Sequence, residues 1–279
     1  MTSWSEHASH MNRPLVVIDT ETATLQGAPH LLEIGAVRVE DGEIQDSFER
    51  FVRPDVEIDP MATAIHGITT EDVLDADDPA TVLGDFFDWA GEDWFAAHNA
   101  PFDAKVIAYE ARRYRFDELP SGPFLDSLPL ARKYIPESPN HKLVTLSEHL
   151  DLEDGPHHRA LSDAVYCWKV IEECWERAGG LDKVSMTELL SNSGRTLTFS
   201  SAAPATPHFP RRIRALGKNL EGGEEVTVLY GSSGEQPATL SIKPRFAFRR
   251  RDKDYLEAEC CHSGILKTYR LDRVQKIVR

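Results

Sequence analysis

The sequence predicts an α/β domain with a mixed sheet, followed by a small all-β domain. In the first 180 residues, apolar runs typical of strands come first and then alternate with helical spacings. From residue 225 onward the apolar residues instead alternate with period two and are separated by Gly-rich turns. We therefore expect a mixed sheet with flanking helices in the first part and a small β-barrel, or alternatively a sandwich, in the second.

Three strands open the chain. Residues 15–18 form a buried apolar run, and alternating runs cover residues 31–39 and 43–52. Between the last two runs, Asp41-Gly42 is a strong signal for a tight hairpin turn. The rest of the domain alternates in type, with helices predicted over residues 79–90, 101–115, 143–150 and 160–177, a short strand over 94–97 and a short strand or turn over 124–130.

The first strand ends in two carboxylates, Asp19 and Glu21. Residues two apart on a strand point to the same face, so these side chains should lie side by side. Two adjacent carboxylates repel each other unless a positive charge lies between them. A hard divalent cation with oxygen ligands is the usual solution.

Composition limits the classes of protein to consider. Hydrophobic residues make up 41% of the chain and charged residues 28%, and no apolar run is long enough to span a membrane. Residues 1–12 lack the apolar core of a signal peptide and are predicted to be a disordered leader. The four cysteines show no CxxC spacing, which favours reduced thiols and a cytoplasmic location.

The net charge of -15 is unevenly distributed. Residues 207–279 hold 15 Lys and Arg against 9 Asp and Glu, giving +6, so residues 1–206 carry -21. The change coincides with a small, Pro-containing stretch at 200–207. We expect a domain over 13–180, a linker over 181–207 and a second domain over 208–279. The basic end is the candidate for binding a polyanion, although chance asymmetry is the alternative.

Three further residues could complete a metal site with the first two acids. Asp103 begins a predicted helix, and Asp163 lies in the first turns of the last helix. On an ideal helix His158 and Asp163 would be about 140° apart, so His158 should lie on the entering loop. Clustered carboxylates holding two metals suit phosphodiester hydrolysis, and a histidine can accept the proton of the attacking water. Taken singly, Asp103 could be a helix N-terminal acid and His158 a surface histidine.

Three segments together resemble a known family. They are residues 19–22 (Asp-Thr-Glu-Thr), 98–103 (His-Asn-Ala-Pro-Phe-Asp) and 158–164 (His-Arg-Ala-Leu-Ser-Asp-Ala). These are similar to the motifs of DEDDh 3′-to-5′ exonucleases, which include DnaQ-like proofreading subunits. The resemblance covers residues 13–178 and implies a ribonuclease H-like fold and two divalent ions, Mg²⁺ or Mn²⁺.

Residue roles follow from this resemblance position by position. It implies that the metal ligands are Asp19, Glu21, Asp103 and Asp163 and that His158 is the general base. His157 is the competing histidine, but only His158 has the family's spacing to the acid. The 3′-terminal nucleotide is expected to contact Thr20, Thr22, Ile65, His66, Asn99 and Phe102. For Ile65 and Phe102, packing in the core is the alternative.

The C-terminal part, residues 208–279, resembles a WYL module, a small β-barrel associated with sensing nucleic acids or nucleotide ligands. Asp254 stands at the tryptophan position of that family, while Tyr255 and Leu256 match. Cations interleaved with aromatic residues suit a single strand through phosphate contacts and stacking. The candidate contacts are Arg245, Arg249, Arg250, Tyr255, Lys267, Arg270 and Arg273. The alternative is an exposed charged face with the aromatic residues in the core.

The sequence thus predicts a metal-dependent 3′-to-5′ exonuclease that releases nucleoside 5′-monophosphates from single-stranded 3′ ends. DNA is favoured as the substrate, with RNA as the other option, and no membrane partner is expected. Two alternatives remain open: a nucleic-acid sensor without turnover, and a binding subunit associated with a polymerase or repair partner.

Overall fold

The computed structural model describes residues 13–152, 158–180, 183–232 and 236–278. The chain divides into two compact units. The first contains the residues up to Pro54 together with Ile58–Ala203, and the second contains Asp55–Glu57 together with Pro204–Arg279. The domain limits expected from the sequence stay a prediction.

The first unit is built on a five-stranded mixed sheet, as predicted. The strands are β1 (Leu15–Thr22), β2 (Leu31–Glu40), β3 (Glu43–Phe51), β4 (Trp94–Ala97) and β5 (Phe124–Asp126). Strands β1 and β2 pair antiparallel, as do β2 and β3, whereas β4 runs parallel to β1 and β5 parallel to β4. The spatial order is β3-β2-β1-β4-β5.

Helices cover both faces of this sheet. The helices are α1 (Pro60–His66), α2 (Pro79–Ala90), α3 (Pro101–Arg113), α4 (Ser127–Tyr134), α5 (Leu143–His149), α6 (Ala160–Ala178), α7 (Met186–Asn192) and α8 (Phe199–Ala202). On β1, Val16 and Ile18 belong to one core cluster with α2 and α3, while Leu15 and Val17 belong to a second cluster with α4, α5 and α6. Alternate residues of one buried strand therefore pack into two separate cores.

Two of these helices lie within the stretch expected to be a linker. Helix α8 begins with Phe199, which is fully buried and packs its ring edge-on against Phe95 and Phe124 at centroid distances of 4.8 and 4.9 Å. Leu197 forms a backbone bridge with Phe124. The segment up to residue 203 therefore completes the core of the first unit. None of the described helices is long and apolar enough to cross a bilayer.

The second unit contains a five-stranded antiparallel sheet and one α-helix within its described residues. Its elements are α9 (Arg214–Gly222), β6 (Val226–Tyr230), β7 (Ala238–Arg250), β8 (Lys253–Cys260), β9 (Leu266–Arg270) and β10 (Val274–Val278). Neighbouring strands pair in the order β10-β6-β7-β8-β9, and no described pairing joins β9 to β10, so the predicted closed barrel is not shown. Helix α9, which packs Leu216 onto the sheet core, was not predicted from the sequence.

Candidate active site

The end of β1 presents its two acids to the face covered by α6. Asp19 and Glu21 continue the alternation of Leu15 and Val17, which pack in the α6 core. Across the antiparallel pair with β2, Asp19 lies opposite Gly35 and Glu21 lies opposite Glu33. A Cβ atom at Gly35 would be 2.0 Å from the backbone nitrogen of Leu161, so only glycine permits α6 to approach this closely.

Asp103 reaches the same region from α3. This helix begins at Pro101, a residue suited to the first turn because its missing N–H would have no helical partner there. Thr20, on the opposite face of β1 from Asp19, donates its hydroxyl to Asp103 Oδ1 at 2.8 Å. Asp103 is 1% exposed. The threonine between the two acids of β1 therefore holds the third acid in place.

Asp163 and His158 come together at the start of α6. His158 precedes the helix, has a φ of 60°, and donates its backbone N–H to Asp163 Oδ2 at 3.2 Å. The side chain of His158 is exposed, whereas that of Asp163 is buried. Ligand atoms of Glu21, His158 and Asp163 all lie within 4.8 Å of one another. His157 lies outside the described residues.

The pKa values of three acids in this cluster are raised above their usual ranges. Burial raises the pKa of Asp19 well above its usual value, and the charges of Asp103 and Asp163 raise it further. Burial, followed by the charges of Asp163 and Glu33, raises the pKa of Glu21 to about 8. Burial also raises the pKa of Asp103, against the lowering effect of the Thr20 hydrogen bond. Carboxylates this close together and this poorly hydrated favour a bound cation.

Glu33 is a site residue that the sequence analysis missed. It is fully buried on β2 and accepts hydrogen bonds from Arg159 Nη2 at 2.8 Å and from the backbone N–H of Ala160 at 3.0 Å. A signal was present, because Glu33 is an acid inside the otherwise apolar run 31–37. Its partner could not be identified without knowing where α6 crosses β2.

The residues expected to contact the terminal nucleotide occupy different environments. The side chains of Ile65 and Phe102 are 49% and 44% exposed, so neither is a core residue. His66 is buried, and its Nδ1 accepts the backbone N–H of Ile68 at 3.0 Å. Thr20 and Thr22 are also buried. Their roles toward a nucleotide stay predictions.

Asn99 occupies a strained position before α3. Its φ is 63°, in the left-handed region, and its backbone N–H donates to Asp126 Oδ1 at 3.0 Å. The same oxygen accepts from Leu128 N at 3.0 Å and so caps α4. Asp126 therefore connects the segment before α3 to the start of α4.

In the second unit, acidic neighbours pair with several of the candidate cations. Ion pairs join Arg245 to Glu259 at 2.7 Å, Arg249 to Asp254 at 3.4 Å and Arg270 to Asp272 at 2.6 Å. Among the described residues, Lys267 and Arg273 are exposed and form no ion pair.

The aromatic residues of this unit are largely internal. Phe248 and Tyr269 are 1% and 7% exposed, and half-buried Tyr255 stacks on Phe248 at a centroid distance of 5.3 Å. The core alternative therefore holds for Phe248 and Tyr269, whereas Tyr255 retains an accessible part.

Comparison with known proteins identifies the family to which the chain belongs. Residues 16–171 match the family model for RNase T-type exonucleases. The chain belongs to the DEDDh family of 3′-to-5′ exonucleases. A solved structure of Exonuclease X in complex with 5′-overhanging duplex DNA shares 31% sequence identity at a TM-score of 0.52, over 64% of this chain and 99% of that one.

Two curated relatives and a further solved structure are also similar to this chain. PolC-type DNA polymerase III chains are 39% identical over 58% of this chain in Oceanobacillus iheyensis and 34% identical over 68% of it in Bacillus subtilis. The exonuclease described here spans only 12% and 13% of those relatives. The nuclease domain of 3′hExo bound to rAMP has the same fold, at 19% identity and a TM-score of 0.52, over 60% of this chain and 93% of that one.

The family match ends at residue 171, ahead of Pro204–Arg279, which form most of the second unit. The comparisons do not support the resemblance of residues 208–279 to a WYL module. For this part of the chain the structure shows an antiparallel sheet.

Proposed function

We propose that this protein hydrolyses the terminal phosphodiester at nucleic-acid 3′ ends and releases nucleoside 5′-monophosphates. The observation that carries the proposal is the convergence of Asp19, Glu21, Asp103 and Asp163: burial and the charges of Asp103 and Asp163 raise the pKa values of both Asp19 and Glu21. Such a cluster is unfavourable in the bare protein and favourable around cations that also bind a phosphodiester.

The donor set fits two divalent ions, Mg²⁺ or Mn²⁺. All four acids provide the hard oxygen ligands that these ions prefer. We assign the ligands to Asp19, Glu21, Asp103 and Asp163. When bound, the ions supply the Lewis acidity that lowers the pKa of a water and offsets charge on the phosphate.

His158 acts as the general base in this proposal. Its exposed side chain is within reach of the substrate side of the cluster, and its backbone is tied to Asp163. A neutral imidazole accepts the proton of the attacking water and releases it to solvent. Thr20 keeps Asp103 oriented through the hydroxyl hydrogen bond, so that the third carboxylate does not rotate away.

The 3′-terminal nucleotide lies against exposed apolar side chains in this proposal. Ile65 and Phe102 offer accessible surface to a base or sugar, and Asn99, three residues before Phe102 in the chain, has a side-chain amide that can donate to it. We assign buried His66 and Thr22 to the support of these contacts. DNA is the favoured substrate, because Exonuclease X and the PolC-type relatives are both named for DNA.

The second unit assists by binding the strand electrostatically. Residues 207–279 carry +6, against -21 for the rest of the chain. Lys267 and Arg273 are the strongest candidates for phosphate contacts, because neither forms an ion pair with an acid among the described residues. The paired cations Arg245, Arg249 and Arg270, together with Arg250 and Tyr255, are candidates that would exchange an existing contact for a phosphate or base.

The similarity to PolC-type chains also suggests a polymerase or repair assembly as partner. Affinity purification of the catalytically inactive Asp19→Asn protein, with nuclease added to remove bridging nucleic acid, tests this. Recovery of a polymerase or repair protein supports the partner, and recovery of the exonuclease alone rejects it.

The main test is digestion of a 3′-single-stranded oligonucleotide labelled at its 5′ end. We expect single-nucleotide shortening that needs Mg²⁺ or Mn²⁺, and nucleoside 5′-monophosphates as products. Asp19→Asn should abolish shortening, and His158→Ala should lower the rate constant by about 10²–10⁴. Full activity in either variant would reject the assigned roles.

A matched pair of DNA and RNA oligonucleotides of the same sequence decides the substrate. We expect a higher kcat/KM for DNA. A higher value for RNA would assign the protein to RNA processing while leaving the metal chemistry intact.

A further inference from the structure

Glu33 is the fifth acid at this site, and its carboxylate is already occupied. Its Oε1 accepts Arg159 Nη2 at 2.8 Å and Arg159 Nε at 3.1 Å, and its Oε2 accepts the N–H of Ala160 at 3.0 Å. The side chain is fully buried. Although Glu33 lies directly opposite Glu21, both of its carboxylate oxygens are already engaged by N–H donors.

Arg159 is held from a second strand as well. Its guanidinium carbon lies 5.1 Å from the ring centroid of Phe51, and its Nη2 lies 3.5 Å from Glu49 Oε1. Phe51 and Glu49 belong to β3, whereas Glu33 belongs to β2. Arg159 is thus fixed between two strands of the rigid sheet, with Glu33 as its buried anchor.

The residue before Arg159 is His158, whose backbone is strained. A φ of 60° is strained for a non-glycine residue and persists only where neighbouring contacts impose it. Among the residues that the structure describes, such contacts lie on the C-terminal side of His158: Glu33 binds the side chain of Arg159 and the N–H of Ala160, and Asp163 accepts the N–H of His158. The anchor therefore imposes the conformation that directs the imidazole.

We infer that Glu33 is a positioning residue for the general base. By holding Arg159 and Ala160, it fixes the segment 158–160 so that His158 stays next to Glu21 and Asp163. The inference rests on the proposed role of His158, and it assigns Glu33 no role as a metal ligand.

The test is a double-mutant cycle of Glu33→Gln and His158→Ala in the full chain, assayed under single-turnover conditions. Glutamine keeps the size of the side chain and removes its charge. In the protein with His158 we expect Glu33→Gln to lower kcat by about tenfold or more with KM changed less than about twofold. In the His158→Ala protein we expect it to lower kcat by less than about twofold, because the group it positions is gone.

A purely structural role predicts something else. If Glu33→Gln lowers kcat by the same factor with and without His158, or does not lower it at all, the positioning role is overturned. If His158→Ala alone causes no loss, the proposed base is wrong, and this failure is separate from that of Glu33.

Two controls sharpen the result. Glu49→Gln removes the other carboxylate next to Arg159, but Glu49 is 46% exposed on the solvent side, so its kcat should stay within about twofold of the unmodified protein. Calorimetric Mn²⁺ titration should give Glu33→Gln an affinity within about threefold of the unmodified protein. An affinity loss as large as that of Asp19→Asn would make Glu33 a ligand instead and overturn the inference.

Should Glu33→Gln not fold, Arg159→Lys replaces it in the same cycle. Lysine keeps a positive charge beside the fully buried Glu33 but removes the guanidinium that bonds it through two nitrogens, and the variant can be followed with the same readouts. The same dependence on His158 is expected, and equal losses with and without His158 overturn the positioning role.

Discussion

Thr20 is a neutral residue between two of the proposed metal ligands, Asp19 and Glu21, and its effect on metal binding by a third, Asp103, can be measured. Its hydroxyl donates to Asp103 and lowers the pKa that burial has raised. We expect Thr20→Val to weaken Mn²⁺ binding by about tenfold, because a hydrogen bond to a charged acceptor is worth about 1.5–3 kcal/mol. Calorimetry at pH 7.5 is the measurement.

The control for that change is Thr24→Val. The Thr24 hydroxyl donates to the carbonyl of Ala28 at 3.2 Å and touches no acid of the cluster. Equal Mn²⁺ affinity in Thr20→Val and the unmodified protein would show that Asp103 does not depend on this bond.

Glu21 predicts how the metal-free protein responds to pH. Its pKa is raised from 4.5 to about 8 in the folded state, so the folded protein retains a proton that the unfolded chain releases. Stability contributed by this group is present at low pH and is lost as pH rises between about 4.5 and 8. In a chelator, the melting temperature should fall from pH 6 to pH 8, as measured by calorimetry.

Saturating Mn²⁺ should reverse that trend, since the ion replaces the proton. The rise in melting temperature on adding Mn²⁺ is therefore larger at pH 8 than at pH 6. Glu21→Gln should reduce the pH slope in chelator, and a slope unchanged by this substitution would argue against Glu21 as its source.

At the same scale, the sequence identified the acids but not their anchor. Asp19 and Glu21 could be paired from spacing alone, because the period of a strand is fixed. The interaction of Glu33 with Arg159 joins residues 126 positions apart and depends on the crossing of α6 over β2. No local pattern contains that crossing.

Among the elements, α6 decides whether the site assembles. It carries Asp163 and lies against β2 at Gly35, directly opposite Asp19. Gly35→Ala should displace the helix and cost about 1–3 kcal/mol of unfolding free energy, with a loss of activity and of Mn²⁺ affinity. Denaturant unfolding and Mn²⁺ calorimetry provide the measurements.

Gly84→Ala is the matched control. Gly84 lies inside α2, and a Cβ atom there meets nothing within 4 Å. Removing a glycine from a helix interior should stabilise the protein by about 0.5–1 kcal/mol. If both alanine variants have similar stabilities, close packing at Gly35 does not constrain α6.

Elements with a strong local signal were predicted well. The Asp41-Gly42 turn joins β2 and β3 as expected, and the last long helix was expected over 160–177 and covers 160–178. Helix α9 was missed although Leu216 and Leu220 have helical spacing, because its Arg214–Gly222 stretch is short and contains two glycines, which have low helix propensity. The barrel was overestimated because period-two alternation predicts strands but not closure.

For the whole molecule, the charge division can be tested in the full chain. Lys267→Glu combined with Arg273→Glu should weaken binding of long single strands and flatten the dependence of log affinity on log salt by about one unit per lost contact. The value of kcat should not change, because the chemistry belongs to the first unit. Fluorescence anisotropy across a salt series measures both quantities.

Arg112→Glu provides the control, since it removes an exposed cation from α3 of the first unit. If the Lys267→Glu/Arg273→Glu protein binds strands with the same affinity and the same salt dependence as the unmodified protein, the second unit does not take part in substrate binding.

A shortened chain for such work should end after Ala203 because Phe199 belongs to the core of the first unit.

The position of Phe199 has a consequence for synthesis on the ribosome. The aromatic core that it completes also contains Ile18, next to Asp19, and Ala104, next to Asp103. Synthesis of the intervening chain takes roughly 10–35 s at ordinary translation rates. During that interval the nascent chain carries the motif acids without the packed core that brings them together. The proposed metal site can therefore assemble only once the first unit has been synthesised almost to its end.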